Sequence, residues 1–371
     1  MTIYIHIPFC IKKCNYCDFY SISTIDTSLI KKYIDAVKKE IVLQAENLKK
    51  NNKNQSISSI FIGGGTPTSI SLTYIKSILE TINQNFIIDK DCEITIEANP
   101  GTDIDFYELR NISINRISIG IQSFNDEELL LLGRIHNGNT AFETLKTAKK
   151  YFNNINADLI FSIPNLTSSS LALTINKLLE CDIQHISAYS LIYEPNTKLY
   201  NKLQQKEIIP KNDNEDADFY KYIYTTLKNN NYIHYEISNF AKEGFQCRHN
   251  LNYWQHNEYI GIGSAAYGYI NNKRYYNFYD INKYCDLLDK DKMPVENIEI
   301  LSKENLFTET IFLGLRSEGI SLSLLTEDKI RYCKYLEKEN LGYFYKKNNN
   351  TIFRLTSAGY FICDEITLKL L

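Results

Sequence analysis

Short apolar strands alternate with amphipathic helices along the first half of the chain. Helical spacing of apolar residues is clear over 29–50, 72–84 and 140–151, with further helices from residues 103 and 126. Strands are predicted over 3–7, 58–63, 93–97, 114–121, 157–162 and 185–191. Parallel strands need such crossovers, and polar residues follow every strand, so the pattern predicts an α/β fold with a barrel or partial barrel. A doubly wound open sheet is the alternative.

The second half of the chain is less regular. A polar, acidic stretch over 212–216 precedes a helix over 219–228 and a strand over 233–238. The last seventy residues predict two helices, a hairpin over 342–355 and a final helix, an order that resembles a winged-helix module. Without a strongly basic face, this module is interpreted as a packing or interaction domain rather than a DNA-binding one. The expected domains are therefore 1–195, 196–300 and 301–371, with Asn-rich loops at 51–54 and 346–350.

The overall composition excludes several classes of protein. A net charge of -3 and a pI near 6.1 provide no global basic field for nucleic acid. Apolar runs are too short for a membrane helix, and Met1 leads directly into the first strand, so a cytoplasmic protein is expected. In that reducing compartment the six scattered cysteines are expected to be free thiols.

The remaining three cysteines are clustered. Pro8 ends the first strand, and Cys10, Cys14 and Cys17 follow within eight residues. Thiolates are ligands for iron or zinc, yet no fourth cysteine or histidine follows closely, which leaves a structural zinc site one ligand short. An iron–sulfur cluster held by three thiolates keeps one iron open to another ligand. From the spacing alone, a cluster, zinc and a coincidental group of thiols all remain open.

The cysteine loop and the preceding Tyr4-Ile-His-Ile-Pro-Phe-Cys10 together resemble the radical S-adenosylmethionine (SAM) superfamily. They resemble most its HemN-like branch, which contains oxygen-independent coproporphyrinogen III dehydrogenase and related heme chaperones, and the resemblance covers essentially the whole chain. It implies a partial (β/α)6 barrel of the TIM type with a C-terminal α+β region. It also implies that Cys10, Cys14 and Cys17 bind a 4Fe-4S cluster, whose fourth iron is chelated by SAM.

Polar residues at the strand ends are candidates for contacts with SAM. The run Gly63-Gly-Gly-Thr66 lacks the Lys-Ser/Thr of a P-loop, and it permits either close approach of a ligand or a tight turn. Glu97 ends a strand where a carboxylate can accept hydrogen bonds from a ligand. The resemblance places Gly64, Gly65 and Thr66 at the methionyl end of SAM. The other SAM contacts that it implies are Tyr4, Glu97, Gln122, Arg134, Asp158 and Ile192.

A second group of residues contains the only tryptophan, in Cys247-Arg-His-Asn-Leu-Asn-Tyr-Trp254. Taken alone, a buried histidine in an aromatic core is the preferred interpretation of His249. The element resembles the His-Asn-x-x-Tyr-Trp of heme chaperones, which implies that His249 is a heme ligand, with His256 and Cys247 as less favoured alternatives. The small residues over 261–268 permit either close approach of a backbone to a flat ligand or tight helix packing.

The resemblance implies a heme chaperone that carries the cluster and SAM and transfers heme to acceptor proteins, which in the relatives are respiratory. The alternative is the dehydrogenase itself, an oxidative decarboxylase. Two departures disfavour it: Phe19 stands where that enzyme has a further cysteine, and the chain is expected to lack its N-terminal arm. No nucleic-acid partner and at most peripheral membrane association are expected, and a homodimer is compatible with the sequence.

Overall fold

The computed structural model describes residues 1–24, 26–51 and 56–371. The predicted loop at 51–54 lies outside these ranges apart from Asn51. The strands, in chain order, are β1 (Thr2–Ile7), β2 (Phe9–Cys10), β3 (Ile22–Ser23), β4 (Ser56–Gly64), β5 (Ile87–Ala98), β6 (Arg116–Gln122), β7 (Ile155–Phe161), β8 (His185–Ser190), β9 (Ile233–Glu236), β10 (Asn239–Ala241), β11 (Tyr259–Ile262), β12 (Tyr267–Ile270), β13 (Lys273–Asn277), β14 (Val295–Ile300), β15 (Ile320–Ser321), β16 (Gly342–Lys347) and β17 (Asn350–Leu355).

Helices connect most of these strands, and short 3-10 turns lie at Pro67–Ser69 and Leu322–Leu324. The α-helices are α1 (Thr27–Lys50), α2 (Leu72–Asn85), α3 (Phe106–Asn111), α4 (Asp126–Leu132), α5 (Gly138–Lys149), α6 (Ser168–Glu180), α7 (Lys198–Gln204), α8 (Asp213–Asn229), α9 (Arg248–Trp254), α10 (Ile281–Asp289), α11 (Lys303–Leu315), α12 (Glu327–Lys338), α13 (Ser357–Phe361) and α14 (Cys363–Leu370). Each helix among these ranges is too short or too polar to cross a bilayer.

Twelve strands form one sheet in the order β14-β13-β12-β11-β1-β4-β5-β6-β7-β8-β10-β9. The seven strands from β11 to β8 run parallel, and the outer strands are antiparallel. Among the described residues, the order begins with β14 and ends with β9, as in an open, partial barrel. The prediction of an α/β fold with six strand–helix units is therefore confirmed, with β11 as a seventh parallel strand that the sequence did not predict.

The strands of a parallel sheet are usually covered on both faces, and this accounts for the burial of β1. Ile3, Ile5 and Ile7 are fully buried, and the side chain of His6 on the opposite face is buried as well. The opposite face of the strand thus lines the inside of the barrel rather than bulk solvent.

Local capping sets the helix boundaries. Asp26 accepts hydrogen bonds from the backbone nitrogens of Ser28 and Leu29 and so starts α1. A capping box between Asn212 and Glu215 starts α8 at Asp213, so the acidic stretch predicted to be irregular is the first turn of that helix. Acidic side chains are favourable there because they face the positive end of the helix dipole.

The last seventy residues contain the two predicted helices and the hairpin, followed by two short helices, α13 and α14, where one was predicted. β15, β17 and β16 form a separate sheet beside α11 and α12. This C-terminal module is joined to the barrel side by Arg354, whose guanidinium donates to the carbonyl of Tyr235 at 2.8 Å, and by the amide of Ile237, which donates to the carbonyl of Arg316 at 2.8 Å. The domain boundaries at 195 and 300 stay a prediction, and the intervening strands extend both ends of the barrel sheet.

Buried Glu40 on α1 ties the first helix to the region that follows β11. Its carboxylate accepts hydrogen bonds from the amide of Gly263 at 2.8 Å, from Asn277 Nδ2 at 2.7 Å and from the hydroxyl of Tyr284 at 2.6 Å. A buried carboxylate is costly unless donors surround it, so this side chain stabilises the fold only while all three bonds are made.

We expect Glu40→Gln to lower the free energy of unfolding by about 1–3 kcal/mol, because the new amide group faces a donor and leaves it unpaired. Urea unfolding at pH 7 measures the loss. Glu46→Gln, an exposed substitution on the same helix, is the matched control and should leave stability unchanged. Equal stability of the two variants would contradict the anchoring role of Glu40.

Candidate functional site

The cysteine loop begins where β1 ends and is closed by a short parallel pair. β2 pairs with β3, so that Phe9 lies opposite Ile22 and Cys10 opposite Ser23. Asn15 fixes the middle of the loop, because its backbone and side-chain nitrogens donate to the carbonyls of Leu132 and Leu131, each at 2.9 Å. The loop is thus held at both its ends and its centre.

Cys10, Cys14 and Cys17 are partly buried free thiols. The hydroxyl of Thr66 donates to Cys10 Sγ at 3.6 Å, and Arg134 Nη1 donates to Cys14 Sγ at 3.3 Å. Burial raises the pKa of Cys10 and raises that of Cys17 to about 11, so both thiols must lose protons when a metal binds.

The donor set of this loop fits an iron–sulfur cluster. Three thiols, two of them facing hydrogen-bond donors, match a cluster whose sulfurs are hydrogen-bonded and which has one iron open. Within residues 1–24, 26–51 and 56–371, no group of three His, Cys, Asp or Glu side chains is arranged so that it could hold a single metal ion.

A polar network continues from the thiols into the barrel. Asn99 Nδ2 donates to Thr66 Oγ1 at 2.8 Å, and Arg134 Nη2 donates to Asn99 Oδ1 at 2.5 Å and to the carbonyl of Gly120 at 2.6 Å. A methyl group on Gly120 would lie 3.0 Å from the side-chain nitrogen of Gln122, which places Gln122 in the same group. Three predicted residues thus meet here. Sequence reasoning missed Asn99, whose only signal is its position just after the end of β5.

The glycine run packs closely against the end of β1. Gly64 has φ of +111°, and a Cβ there would lie 2.5 Å from the ring of His6. A Cβ on Gly65 would lie 2.7 Å from the carbonyl oxygen of Phe9. The tight-turn interpretation is therefore sufficient to explain these glycines, and their contact with SAM stays a prediction.

Two carboxyl groups face the barrel interior beyond the network. Burial and the nearby Asp158 raise the pKa of Glu97 to about 8, and Glu97 accepts a hydrogen bond from the amide of Gly64 at 3.1 Å. Asp158 accepts from Asn156 Nδ2 at 2.8 Å, and burial raises its pKa. Ile192 differs from the other predicted SAM residues, since it lies beyond the end of β8 and is 66% exposed.

Tyr4 and His6 have a defined hydrogen-bonding pattern. His6 Nε2 lies 2.9 Å from the carbonyl oxygen of Tyr20, which can only accept, so this nitrogen carries the proton. His6 Nδ1 then accepts from the hydroxyl of Tyr4 at 3.0 Å. Burial lowers the pKa of His6 to about 4, so the imidazole is neutral at physiological pH.

A cavity of about 820 Å³ begins at these residues and extends toward the C-terminal module. Tyr4, Phe61 and Glu97 form its inner wall, and Glu309 and Phe312 of α11 belong to the opposite side. Aromatic rings dominate the lining, as in sites for flat apolar ligands. Further lining residues include Phe19, Tyr20, His249, Tyr253, His256, Tyr259, Tyr267, Tyr269, Arg274 and Tyr279.

His249 lies in the wall of this cavity with both ring nitrogens occupied. Nδ1 is hydrogen-bonded to Ser59 Oγ and Nε2 to the hydroxyl of Tyr253, each at 2.9 Å. The ring also packs on Phe61 at 5.2 Å between centroids. Burial lowers the pKa of His249 to about 3, so this imidazole is neutral. To bind iron, His249 must give up one of the two bonds.

Cys247 and His256, the two less favoured candidates for the heme ligand, have different surroundings. Cys247 is fully buried, and its thiol donates to Glu93 Oε1 at 3.4 Å. His256 lines the cavity, and its Nε2 lies 2.9 Å from Glu309 Oε2. The segment 261–268 contains the end of β11, a turn and the start of β12, and a Cβ on Gly261 would lie 1.8 Å from the carbonyl oxygen of Tyr267. Its small residues therefore serve strand packing rather than helix packing.

Glu93 of β5 holds α9, and with it His249, in the barrel. Its carboxylate accepts from the backbone nitrogens of Arg248 and His249, each at 3.1 Å, in addition to the Cys247 thiol. The N-cap residue of the helix, Cys247, makes no side-chain hydrogen bond to the backbone of the first turn. Glu93 therefore supplies, from a distant strand, the acceptor that the first turn of α9 requires.

We expect Glu93→Gln to loosen the start of α9 and to lower the free energy of unfolding by about 1–3 kcal/mol, because an amide nitrogen cannot accept from a backbone N–H. Trp254 ends α9 and is the only tryptophan, so its fluorescence spectrum reports the change directly. Glu80→Gln, exposed on α2, is the control. An unchanged spectrum together with unchanged stability would show that Glu93 does not position the helix.

Comparison with known proteins places this geometry in a family. Residues 4–178 match the model of the radical SAM superfamily. The chain is 35% identical to the heme chaperone HemW of Bacillus subtilis (strain 168), over 98% of this chain and 97% of that protein. It is 39% identical to the heme chaperone HemW of Buchnera aphidicola subsp. Acyrthosiphon pisum, over 74% of this chain and 71% of the relative.

Among solved structures, the fold is similar to that of coproporphyrinogen III oxidase (HemN) from Escherichia coli, a radical SAM enzyme. The TM-score is 0.82 at 22% identity, over 99% of this chain and 89% of the enzyme. This likeness at 22% identity concerns the fold, whereas the relative from Bacillus subtilis is 35% identical over 98% of this chain. The protein therefore belongs to the heme chaperone HemW family of the radical SAM superfamily.

Proposed function

We propose that this protein is a heme chaperone, which binds heme in the aromatic cavity and transfers it to acceptor proteins. The observation that carries the proposal is the cavity of about 820 Å³ whose wall contains His249, Tyr253 and other rings of the C-terminal half. Its volume lies in the range of sites for large organic ligands, and its aromatic walls suit a macrocycle. The relatives named heme chaperones supply the class of ligand.

The cysteine loop is proposed to hold a 4Fe-4S cluster on Cys10, Cys14 and Cys17, as membership of the radical SAM superfamily implies. SAM is proposed to contact Tyr4, Gly64, Gly65, Thr66, Glu97, Gln122, Arg134, Asp158 and Ile192. When bound, the cluster can donate one electron to the sulfonium of SAM. The protein's own contribution is to orient these groups: Thr66 and Arg134 donate to cysteine sulfurs, and Glu97 presents a carboxyl group toward the cavity.

The raised pKa of Glu97 predicts that SAM binding depends on pH. At pH 7 a carboxyl group with a pKa of about 8 is mostly protonated, whereas donors and cations of a ligand favour the ionised form. We therefore expect the affinity for SAM to rise by up to about tenfold per pH unit below pH 8 and to level off above it. Equilibrium dialysis of SAM against cluster-reconstituted protein at pH 6 to 9 measures this.

Glu97→Gln is the decisive variant, because it should bind SAM more weakly at pH 9 and lose most of the pH dependence. Any titration of SAM itself affects its binding to the wild-type protein and to Glu97→Gln equally, so it cancels when the two affinities are compared. Cys14→Ser should lose the cluster and, with it, tight SAM binding. A wild-type affinity that is constant from pH 6 to 9 would contradict the role of Glu97.

The acceptor is proposed to be a heme-requiring respiratory protein, and the chaperone is proposed to work in the cytoplasm, with at most peripheral association with membranes. We also propose that the chaperone forms a homodimer. These statements rest on the resemblance to heme chaperones, together with the lack of a membrane-spanning helix in the described parts of the chain. No basic channel for nucleic acid is expected at a net charge of -3.

Heme titration tests the proposed function and the position of the site together. Ferric heme added anaerobically to the full chain should bind with a defined stoichiometry and then pass to an apo acceptor. Tyr267→Ala, which removes a ring from the cavity wall, should weaken binding by about tenfold. Tyr343→Ala, comparably exposed in the C-terminal hairpin, is the control. Equal heme affinity of both variants would place the heme elsewhere.

The same preparation separates the chaperone from the decarboxylating enzyme. With SAM, a reductant and coproporphyrinogen III, a chaperone should form no protoporphyrinogen IX at useful turnover. Phe19, which stands in place of the enzyme's further cysteine, is 71% exposed and lines the cavity. Sustained product formation would overturn the proposed function.

A further inference from the structure

Asn99 stands just after the end of β5, and its backbone is held in place. Pro100 follows it, and a proline disfavours a helical backbone at the residue before it. The carbonyl oxygen of Asn99 accepts a hydrogen bond from the hydroxyl of Thr102 at 2.7 Å. Since β5 lies between β4 and β6 in the parallel part of the sheet, Asn99 is presented from a fixed point at the carboxyl end of an inner strand.

The side-chain amide of Asn99 joins two groups of the site. Its Nδ2 donates to Thr66 Oγ1 at 2.8 Å, and its Oδ1 accepts from Arg134 Nη2 at 2.5 Å. A guanidinium can only donate, so Oδ1 must face Arg134 and the amide has one orientation. A Cβ on Gly120 would lie 2.6 Å from Oδ1, so the glycine of the neighbouring strand leaves just enough room for this amide.

The orientation of the amide also sets the direction of the donors that face the cysteine loop. Thr66 Oγ1 accepts from Asn99, so the hydroxyl proton is left for Cys10 Sγ at 3.6 Å. Arg134, held by the other end of the amide, donates through Nη1 to Cys14 Sγ at 3.3 Å. Asn99, Thr66, Arg134 and Cys14 line the same small cavity beside the loop. One side chain thus orients both donors to the thiols.

The two bonds require an asparagine at this position. An aspartate would keep the acceptor for Arg134, but it has no N–H to donate to Thr66. The hydroxyl of Thr66 would then donate to the carboxylate and turn its proton away from Cys10. A leucine of similar size would make neither bond. In a connected polar network, such a change affects more than the bond that is removed.

We propose that Asn99 is a positioning residue of the cluster and SAM site, which orients Thr66 and Arg134 toward SAM and the cysteine sulfurs. This inference rests on the proposed function, because Thr66 and Arg134 are proposed there to contact SAM. It assigns a role to a residue that is not among the predicted SAM contacts. Asn99 acts through its two partners and needs no contact with SAM itself.

Equilibrium dialysis of SAM against full-length, cluster-reconstituted protein tests the proposal under anaerobic conditions. The reduction potential of the cluster, followed by electron paramagnetic resonance, is the second readout. We expect Asn99→Asp and Asn99→Leu each to bind SAM about tenfold more weakly, as for the loss of about one hydrogen bond. Asn99→Asp should also lower the reduction potential, because hydrogen bonds to the sulfurs help to set it.

Asn115 provides the matched control at the other end of the barrel, just before β6. It is partly buried like Asn99, and its side chain accepts from the amide of Ile94 at 2.8 Å and donates to the carbonyl of Cys92 at 2.7 Å. Asn115→Asp adds the same charge and disrupts a comparable pair of bonds, yet it should leave SAM affinity and the reduction potential unchanged. Equal losses in the two aspartate variants would overturn the proposal.

Thr66→Val shows whether Asn99 acts through the hydroxyl. Without the hydroxyl, Asn99→Asp should cost less SAM affinity and shift the potential less than it does in the wild-type protein. The added charge is present in both backgrounds, so its effect cancels in this comparison. Additive effects of the two substitutions would overturn the proposal, as would wild-type SAM affinity in both Asn99 variants. Failure of the reconstituted wild-type protein to bind SAM would instead reject the proposed SAM site itself.

Discussion

Strand β1 pairs in parallel on both of its edges, and the arrangement of the site depends on this double pairing. Thr2 to Ile7 lie opposite Ser59 to Gly64 of β4, and Thr2 to Ile5 lie opposite Tyr259 to Ile262 of β11. Tyr4 is therefore flanked by Phe61 on one side and Gly261 on the other. At the same time, the end of β1 delivers the cysteine loop to the rim of the barrel. A strand from the last third of the chain thus becomes the immediate neighbour of the N-terminal motif.

One consequence is that two of the residues proposed to contact SAM, Tyr4 and Glu97, line the same cavity as His249 and Tyr253. The rings of Tyr4 and Phe61 stack at 6.3 Å, Phe61 contacts His249 at 5.2 Å, and His249 contacts Tyr253 at 4.9 Å between centroids. In the proposed function, a ligand bound on one side of this row of rings changes the packing of the side chains that face the ligand on the other side. This continuity gives a physical route by which the cluster site and the heme site can influence each other.

The buried carboxyl groups fall into two kinds. Glu40 and Glu93 each accept three hydrogen bonds and hold elements that are distant in sequence. Glu97 accepts only one from a described residue, the amide of Gly64, and burial raises its pKa to about 8. A carboxyl group with unused acceptor capacity beside a cavity is suited to a ligand's donors, whereas a fully bonded one is part of the scaffold.

The sequence by itself determined the strand–helix order, the cysteine loop, the C-terminal module and, by resemblance, the family. These follow from local periodicity and from short motifs, which are encoded within a few neighbouring residues. Local patterns did not reveal β11, because a four-residue strand containing glycine has too weak a periodicity. They also did not reveal the roles of Asn99 and Glu93, which arise only through partners from distant elements. Whether the nitrogens of an imidazole are already bonded is likewise a tertiary property: Ser59 and Tyr253 occupy both ring nitrogens of His249.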